Sequence, residues 1–376
     1  MKNSITKILK YIFIAINIVS VLCTLLAAFG GYFSPLYFKS IPAIASMTFP
    51  AWFILMPVLL LISYFVSNRF FIINIGTMLV CISAVLTFCP LNFFSDPAPE
   101  DSVKVKIMSY NAYNYKLYKD NIFPEDSSLT ISAIIESGAD IVCIQEGTLP
   151  ELVSKKHSHA TDKQVKTICR IYPYRITDTE GISTLSKYPV KLISSPFIPG
   201  ETGNLQIFQY DINGIPLKIY NIHLQSFGLN KNDKDLYIQL TKGNANNNIR
   251  RTKGQLLGKL HTSFMHHAKQ AEVIRTVLDK DTAENVVLCG DFNDIPGCYA
   301  LRIIKGDDMY DSFKKCGLGP NITYRDNRFY FHIDHFLCKK GVATTDIRAI
   351  HAGASDHFPI MATVHLPKKS ETKLNK

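Results

Sequence analysis

Six short segments of this 376-residue chain gather carboxylates, side-chain amides and imidazoles: Asn111, Gln145-Glu146, Asn221-Ile222-His223, Gly290-Asp291-Phe292-Asn293, Ile333-Asp334-His335 and Ser355-Asp356-His357. Each is weak alone, since a lone carboxylate is usually a solvated surface group and a lone amide a turn residue. As a set they offer what chemistry on a charged group requires. One or two carboxylates hold a hard divalent cation that keeps part of its water shell. A further carboxylate can orient or deprotonate a water, and an imidazolium can stabilise negative charge as it develops.

These side chains are useful only if the chain brings them together, and most of the segments follow or end apolar runs that read as strands. Val103 to Ser109 alternates with the period of a half-buried strand that leads to Asn111. Asp140 to Glu146 is a buried strand ending on its carboxylate, and Val286 to Gly290 is another that stops at Asp291. Gln206 to Ile212 and Ile215 to His223 flank Asn213-Gly214, a pair whose tolerance of positive φ marks a tight hairpin. Thr323, Ile333 to Cys338 and Phe358 to Val364 supply further strands. Helices are expected from Ser127 to Ser137, closed by Gly138, and from about His266 to Leu278. This mixture predicts an α/β fold with mixed sheets.

In this order the motifs resemble the endonuclease/exonuclease/phosphatase superfamily, which includes deoxyribonuclease I, apurinic endonucleases, neutral sphingomyelinases and inositol polyphosphate 5-phosphatases. The resemblance covers roughly residues 103 to 366 and implies a four-layer sandwich of two mixed β-sheets flanked by helices. It implies a phosphoric ester hydrolase dependent on Mg²⁺ or Mn²⁺. Glu146 would be the metal carboxylate, with Asn111 supporting metal and phosphate and Asp356 assisting the metal cluster. Asp291 would orient or deprotonate the attacking water, and Asn293 would hydrogen-bond the scissile phosphate. His357 would stand near that phosphate, paired with Asp334, and His223 would contact phosphate or assist as an acid. Some relatives carry an acid two residues after the asparagine, where this chain has Tyr113. Gly181-Ile-Ser-Thr-Leu-Ser-Lys-Tyr-Pro matches a structural strand-turn of the family. His332 and His335 read as structural, and strand alternation sets His335 opposite Asp334.

The substrate is less legible. A lipid head group and nucleic acid both fit a net charge of +10, which leaves a membrane phosphodiesterase or phosphatase and an extracytoplasmic deoxyribonuclease as competing readings. A binding protein that retains the fold without turnover should have lost one of Glu146, Asp291, Asn293 or His357, and this chain has all four. The segment around Asp334 lacks the Trp-Thr-Asp-Arg run associated with inositol 5-phosphatases. Residues 229–269 carry Lys231, Lys234, Lys242, Arg250, Arg251, Lys253, Lys259 and Lys269 against Asp233 and Asp235. They read as a solvated loop with one or two surface helices, or as a surface for anionic lipid.

The first hundred residues belong to a different physical environment, with only Lys2, Lys7, Lys10, Lys39, Arg69, Asp96 and Glu100 charged. Apolar stretches at about 8–28, 49–66 and 71–89 predict three transmembrane helices in a region spanning 1–95. Residues 96–102 then form a linker, 103–366 the catalytic domain and 367–376 a polar tail. Lys2, Lys7, Lys10 and Arg69 fall on the cytoplasmic side by the positive-inside rule, which puts the catalytic domain outside the cytoplasm, periplasmic or external if the chain is bacterial. The nine cysteines show no C-x-x-C pair and read as free thiols.

Overall fold

The computed structural model describes residues 2–94, 96–115, 128–148, 160–177, 181–230, 232–236, 249–326, 329–352 and 355–368. Its strands are β1 Ser102–Asn111, β2 Ile141–Gln145, β3 Tyr174–Thr177, β4 Ser183–Ser186, β5 Val190–Ser194, β6 Asn204–Ile212 and β7 Ile215–His223. They continue with β8 Val286–Asp291, β9 Met309–Asp311, β10 Tyr324–Asp326, β11 Phe329–Phe331, β12 Asp334–Lys339, β13 Ala343–Ala349 and β14 Ile360–Pro367. Two six-stranded mixed sheets result, in the orders β13-β14-β1-β2-β4-β3 and β5-β6-β7-β8-β12-β9, with β10 and β11 as a separate ribbon.

Alternation along the strands builds the layers. On β8, Val287 and Cys289 face the core between the sheets, whereas Val286 and Leu288 pack outward with Ala271, Ile274 and Leu278 of a long helix, Ile249–Asp279. On β1, Val105 and Ile107 face the same inner core, while Met108 and Tyr110 pack outward with Ile131, Ile134 and Ile168 from two helices on the far side. Helix, sheet, sheet and helix make the four layers.

Local signals read from the sequence hold where the chemistry is local. Asn213 (φ 54°) and Gly214 (φ 86°) turn β6 into β7. The helix Leu129–Ser137 is capped by the Ser128 hydroxyl and ends on Gly138 at φ 65°. The helix expected from His266 begins at Ile249, earlier than apolar spacing suggested, because its first turns are rich in basic and polar residues and lack a periodic apolar face.

Inner-face alternation carries a polar end to the seam. Gln145 and Asn221 continue the inward-facing positions of β2 and β7, and Gln145 Nε2 donates to Asn221 Oδ1 at 2.6 Å across the gap between sheets. Asn221 Nδ2 in turn donates to the carbonyls of Ile144 and Ser183 at 3.2 and 3.3 Å. Gly290 lets β8 lie close to β7, since at its φ of 145° a Cβ would collide with the Ile222 carbonyl.

Two N-terminal helices, Lys7–Tyr32 and Phe49–Val66, are long and apolar enough to cross a membrane. The stretch expected as a third span is two helices, Asn68–Val80 and Ile82–Phe88, bent by 48° at Cys81, and counts as a span only if the pair acts as one. Two short helices that the sequence reading did not foresee, Pro35–Phe38 and Ile41–Met47, lie between the first two long ones. This apolar part is docked on the two-sheet domain. Ser40 Oγ meets His261 Nδ1 at 2.7 Å, and Lys314 Nζ donates to Thr87 Oγ1 at 3.0 Å. Gly31 packs so closely on Gly297 that a Cβ there would strike its carbonyl. All nine cysteines are free thiols.

Replacing Asn221 by leucine removes the shorter of the two hydrogen bonds of the Gln145 amide, which keeps only Ser109 Oγ at 3.3 Å, and the side-chain donors to the Ile144 and Ser183 carbonyls. The full chain in detergent is expected to lose about 2–4 kcal/mol of stability, read from the denaturant midpoint at unchanged slope.

Candidate active site

Strand register delivers the sequence-selected side chains to one end of the inter-sheet seam. In the second sheet, His223 is paired with Asp291 and Asp291 with Asp334, so three neighbouring strands present their functional side chains in one row. All three continue the inward-facing alternation of their strands. In the first sheet Asn111 is paired with Gln145, which sets Glu146 immediately beyond the row. Glu146 has a φ of 48°, an uncommon conformation for a residue with a side chain. Such positions are found where surrounding structure holds a side chain for a task.

The groups converge closely. One ligand atom each from Glu146, His223 and Asp291 lies within 4.8 Å of the others, and the same holds for Asp291, Asp334 and His357. His223 Nε2 stands 3.7 Å from Glu146 Oε1 and 3.8 Å from Asp291 Oδ2, and it is buried without a hydrogen-bond partner. Asn111 Nδ2 donates to Glu146 Oε1 at 3.0 Å and to Asp291 Oδ2 at 2.9 Å, so its amide bridges two carboxylates that would otherwise repel. The other Asp291 oxygen accepts from the Asn293 backbone N–H at 2.8 Å. Two carboxylates, an amide and a partnerless imidazole form a donor set of hard oxygens with one nitrogen, which suits a divalent cation. Asn111 would have to turn its oxygen inward to serve as a ligand itself.

On the other side of Asp291, His357 Nδ1 meets Asp334 Oδ2 at 2.9 Å, and its Nε2 lies 3.6 Å from Asp291 Oδ2. Burial disfavours the charged ring, but Asp334, Asp291 and Asp356 outweigh it and lift the His357 pKa to about 10. This imidazole is therefore a cation and a proton donor at neutral pH, and a poor base. Asp334 is fixed in turn by Thr323, whose hydroxyl accepts from the backbone N–H groups of Ile333 and Asp334, both at 3.0 Å. Thr323 entered the sequence reading only as a strand residue; a lone threonine before a turn carries no signal of this role.

The remaining residues fall less centrally. Asn293 donates its side-chain N–H to the Leu224 carbonyl at 3.0 Å and lines the cavity above Asp291. Asp356 also lines that cavity and accepts from Ser355 Oγ at 3.2 Å, but it stands outside both convergent groups. Burial raises its pKa, with Glu146 adding to the effect. His335 Nε2 meets the Asp294 carbonyl at 2.8 Å on the outer side of β12, in keeping with strand alternation. His332 precedes the strand, so alternation does not govern it; it reaches the same side by stacking on His335 at 4.7 Å.

Two residues here were not singled out as site residues. The Tyr324 ring lies edge-on to His357 with centroids 5.0 Å apart, and Lys234 Nζ donates to the Tyr324 hydroxyl at 3.1 Å. Lys234 also pairs with Asp326, and Lys259 pairs with Asp233, so two members of the basic stretch are engaged in ion pairs. Lys231, Lys242 and residues 369–376 of the expected tail lie outside the described residues.

A family model described as the Endonuclease/Exonuclease/phosphatase family matches residues 108–357. Among solved structures, the chain is similar to a humanized D. rerio TDP2 at 18% identity, covering 69% of this chain and 98% of that one, with a TM-score of 0.44. It is similar at 17% identity to an endonuclease/exonuclease/phosphatase from Beutenbergia cavernae, covering 70% and 72% of the two chains, with a TM-score of 0.45. The human Nocturnin catalytic domain is similar at 13% identity, covering 72% of this chain and 97% of its own, with a TM-score of 0.45. No curated protein matches the chain.

Replacing Glu146 by glutamine removes one of the two converging carboxylates. Mn²⁺ binding to the full chain, followed by electron paramagnetic resonance of the free ion, is expected to weaken by more than about tenfold.

Proposed function

Because the chain belongs to the endonuclease/exonuclease/phosphatase family, we propose that it is a membrane-anchored phosphoric ester hydrolase that depends on Mg²⁺ or Mn²⁺ and acts outside the cytoplasm. The observation that carries this reading is the meeting of Glu146, His223 and Asp291 beside the Asp334–His357 pair. Glu146 and Asn111 would hold the metal, with Asp356 as an outlying carboxylate. When bound, the ion supplies positive charge to the phosphoryl oxygens and lowers the pKa of water.

The chain's own residues would do the rest. Asp291, held at both oxygens by Asn111 and the Asn293 backbone, orients the attacking water and accepts its proton. The water oxygen bonds to phosphorus as the ester P–O bond breaks, and the departing oxygen takes its proton from solvent. His357 stabilises charge on the pentavalent phosphorus, with Asp334 fixing its tautomer and keeping it protonated. Asn293 and His223 hold phosphate oxygens.

Orientation is supported by where the charges and contacts fall. Lys10 and Arg69 line one crevice at the end of the apolar helices away from the catalytic domain, and Gly31, Ser40 and Thr87 at the other end contact it. Basic residues at the far end are those expected in the cytoplasm.

The test is hydrolysis of phosphomonoesters and phosphodiesters by the full chain in detergent, with Mg²⁺ and with chelator. Chelator is expected to abolish turnover. His357→Ala should lower kcat by about 10²- to 10⁴-fold with Mn²⁺ affinity kept; unchanged kcat in that variant would overturn the mechanism.

A further inference from the structure

The cavity above Asp291 does not end within the catalytic domain. It measures about 530 Å³, and its polar end is formed by Glu146, Asp291, Asn293, Asp356 and His357. Most of its other wall residues are apolar, with Thr48, Ser226, Lys234 and Asp294 among the exceptions. Ile44 and Met47 come from the short helix Ile41–Met47, and Ala51 from the first turn of the span Phe49–Val66. Leu256 and Leu260 come from the long basic helix, and Phe227, Leu229, Phe329 and Phe331 add further apolar surface.

This shared wall is held in place. Besides the Ser40–His261 bond and the Gly31–Gly297 contact, Arg302 Nε donates to the Gly31 carbonyl at 3.3 Å and its guanidinium lies 4.2 Å from the Tyr32 ring centre. Met47 packs against the outer apolar core of the second sheet. The apolar helices thus complete the substrate cavity as well as carrying the domain.

We propose that the phosphoester is a membrane lipid, an inference that rests on the hydrolase reading above. Its phosphate would sit among Asp291, Asn293 and His357, and its hydrocarbon would run along Ile44, Met47 and Ala51 toward the bilayer. A cavity of this size is typical of small-molecule sites, and it accommodates a head group with the first part of a chain. A purely polar ester leaves the apolar half unfilled. Among the described residues, the cations that line the cavity are His357, assigned to the scissile phosphate, and Lys234, already paired with Asp326, which leaves none for the flanking phosphates of a nucleic acid. Ala51 lies at the first turn of a span, where a lipid could enter sideways from the membrane.

The experiment uses the full chain held in amphipol with Mg²⁺ and compares methyl and dodecyl p-nitrophenyl phosphodiesters, in which the bond broken is the same. kcat/KM is expected to rise by about fourfold per methylene over the first carbons. Ala51→Trp fills part of the apolar wall and should cut the dodecyl-to-methyl ratio by at least about tenfold. Both esters are read on one preparation, so loss of folded protein scales them together and leaves the ratio intact. Partition of the long ester into amphipol is the same for both proteins. Equal kcat/KM for the two esters, or a ratio untouched by Ala51→Trp, overturns the lipid inference and leaves the hydrolase reading standing. Turnover of neither diester overturns the lipid inference, and if p-nitrophenyl phosphate is not hydrolysed by the same preparation either, the hydrolase reading falls with it.

Discussion

Deep between the sheets, where the apolar seam ends and the acidic groups begin, the Gln145 amide donates to the Asn221 amide at 2.6 Å. Both side chains are fully buried, and Asn221 spends its own N–H groups on backbone carbonyls of the first sheet. Apolar packing between the sheets is non-directional, whereas hydrogen bonds demand specific partners. A buried amide pair cannot slide, because every displaced donor or acceptor would be left without a partner at a cost of about 1–3 kcal/mol. The offset between sheets is thereby fixed at the point where it matters. Asn111 and Glu146 at the end of one sheet then face His223, Asp291 and Asp334 at the end of the other.

That alignment concentrates negative charge. Glu146, Asp291, Asp334 and Asp356 gather in a partly buried space with His357 as the charged counterpart. Asn111 relieves part of the repulsion by donating to Glu146 and Asp291 together, and Thr323 fixes the backbone at Asp334. The imbalance is sensible if a divalent cation completes the set, because the ion both neutralises the carboxylates and is positioned by them. The same crowding explains the elevated His357 pKa: burial would discharge the ring, but three nearby carboxylates keep it charged.

Much of this was legible in the sequence because the decisive features are strand ends. Period-two alternation predicts which residues face inward, and Asn111, His223, Asp291 and Asp334 all continue inward-facing positions of their strands. The Asn213-Gly214 hairpin and the Gly138 cap are local, and local chemistry specifies them. Other features depend on partners remote in sequence. Thr323 and Tyr324 meet the Asp334–His357 pair through a ribbon whose strands are three residues each. Lys234 reads as one charge in a basic run, and only folding sets it over Tyr324 at the cavity wall. The bend at Cys81 breaks a stretch that is mostly apolar in sequence, and neither proline nor glycine stands at the break.

The docking of the apolar helices had no sequence signal at all, although it changes what the N-terminal region does. A helix that merely tethers a domain needs length and hydropathy, and any apolar segment would serve. Gly31 meets a harder requirement, since its backbone lies against the Gly297 carbonyl where no side chain fits. Gly297 lies four residues after Asn293, in the loop that follows Asp291. The loop that shapes the acidic end of the cavity is therefore braced by the end of a helix long and apolar enough to cross a membrane. A displacement of the N-terminal helices would be felt at Asn293 through four residues of backbone, which couples the placement of the loop after Asp291 to the seating of the helices beside it.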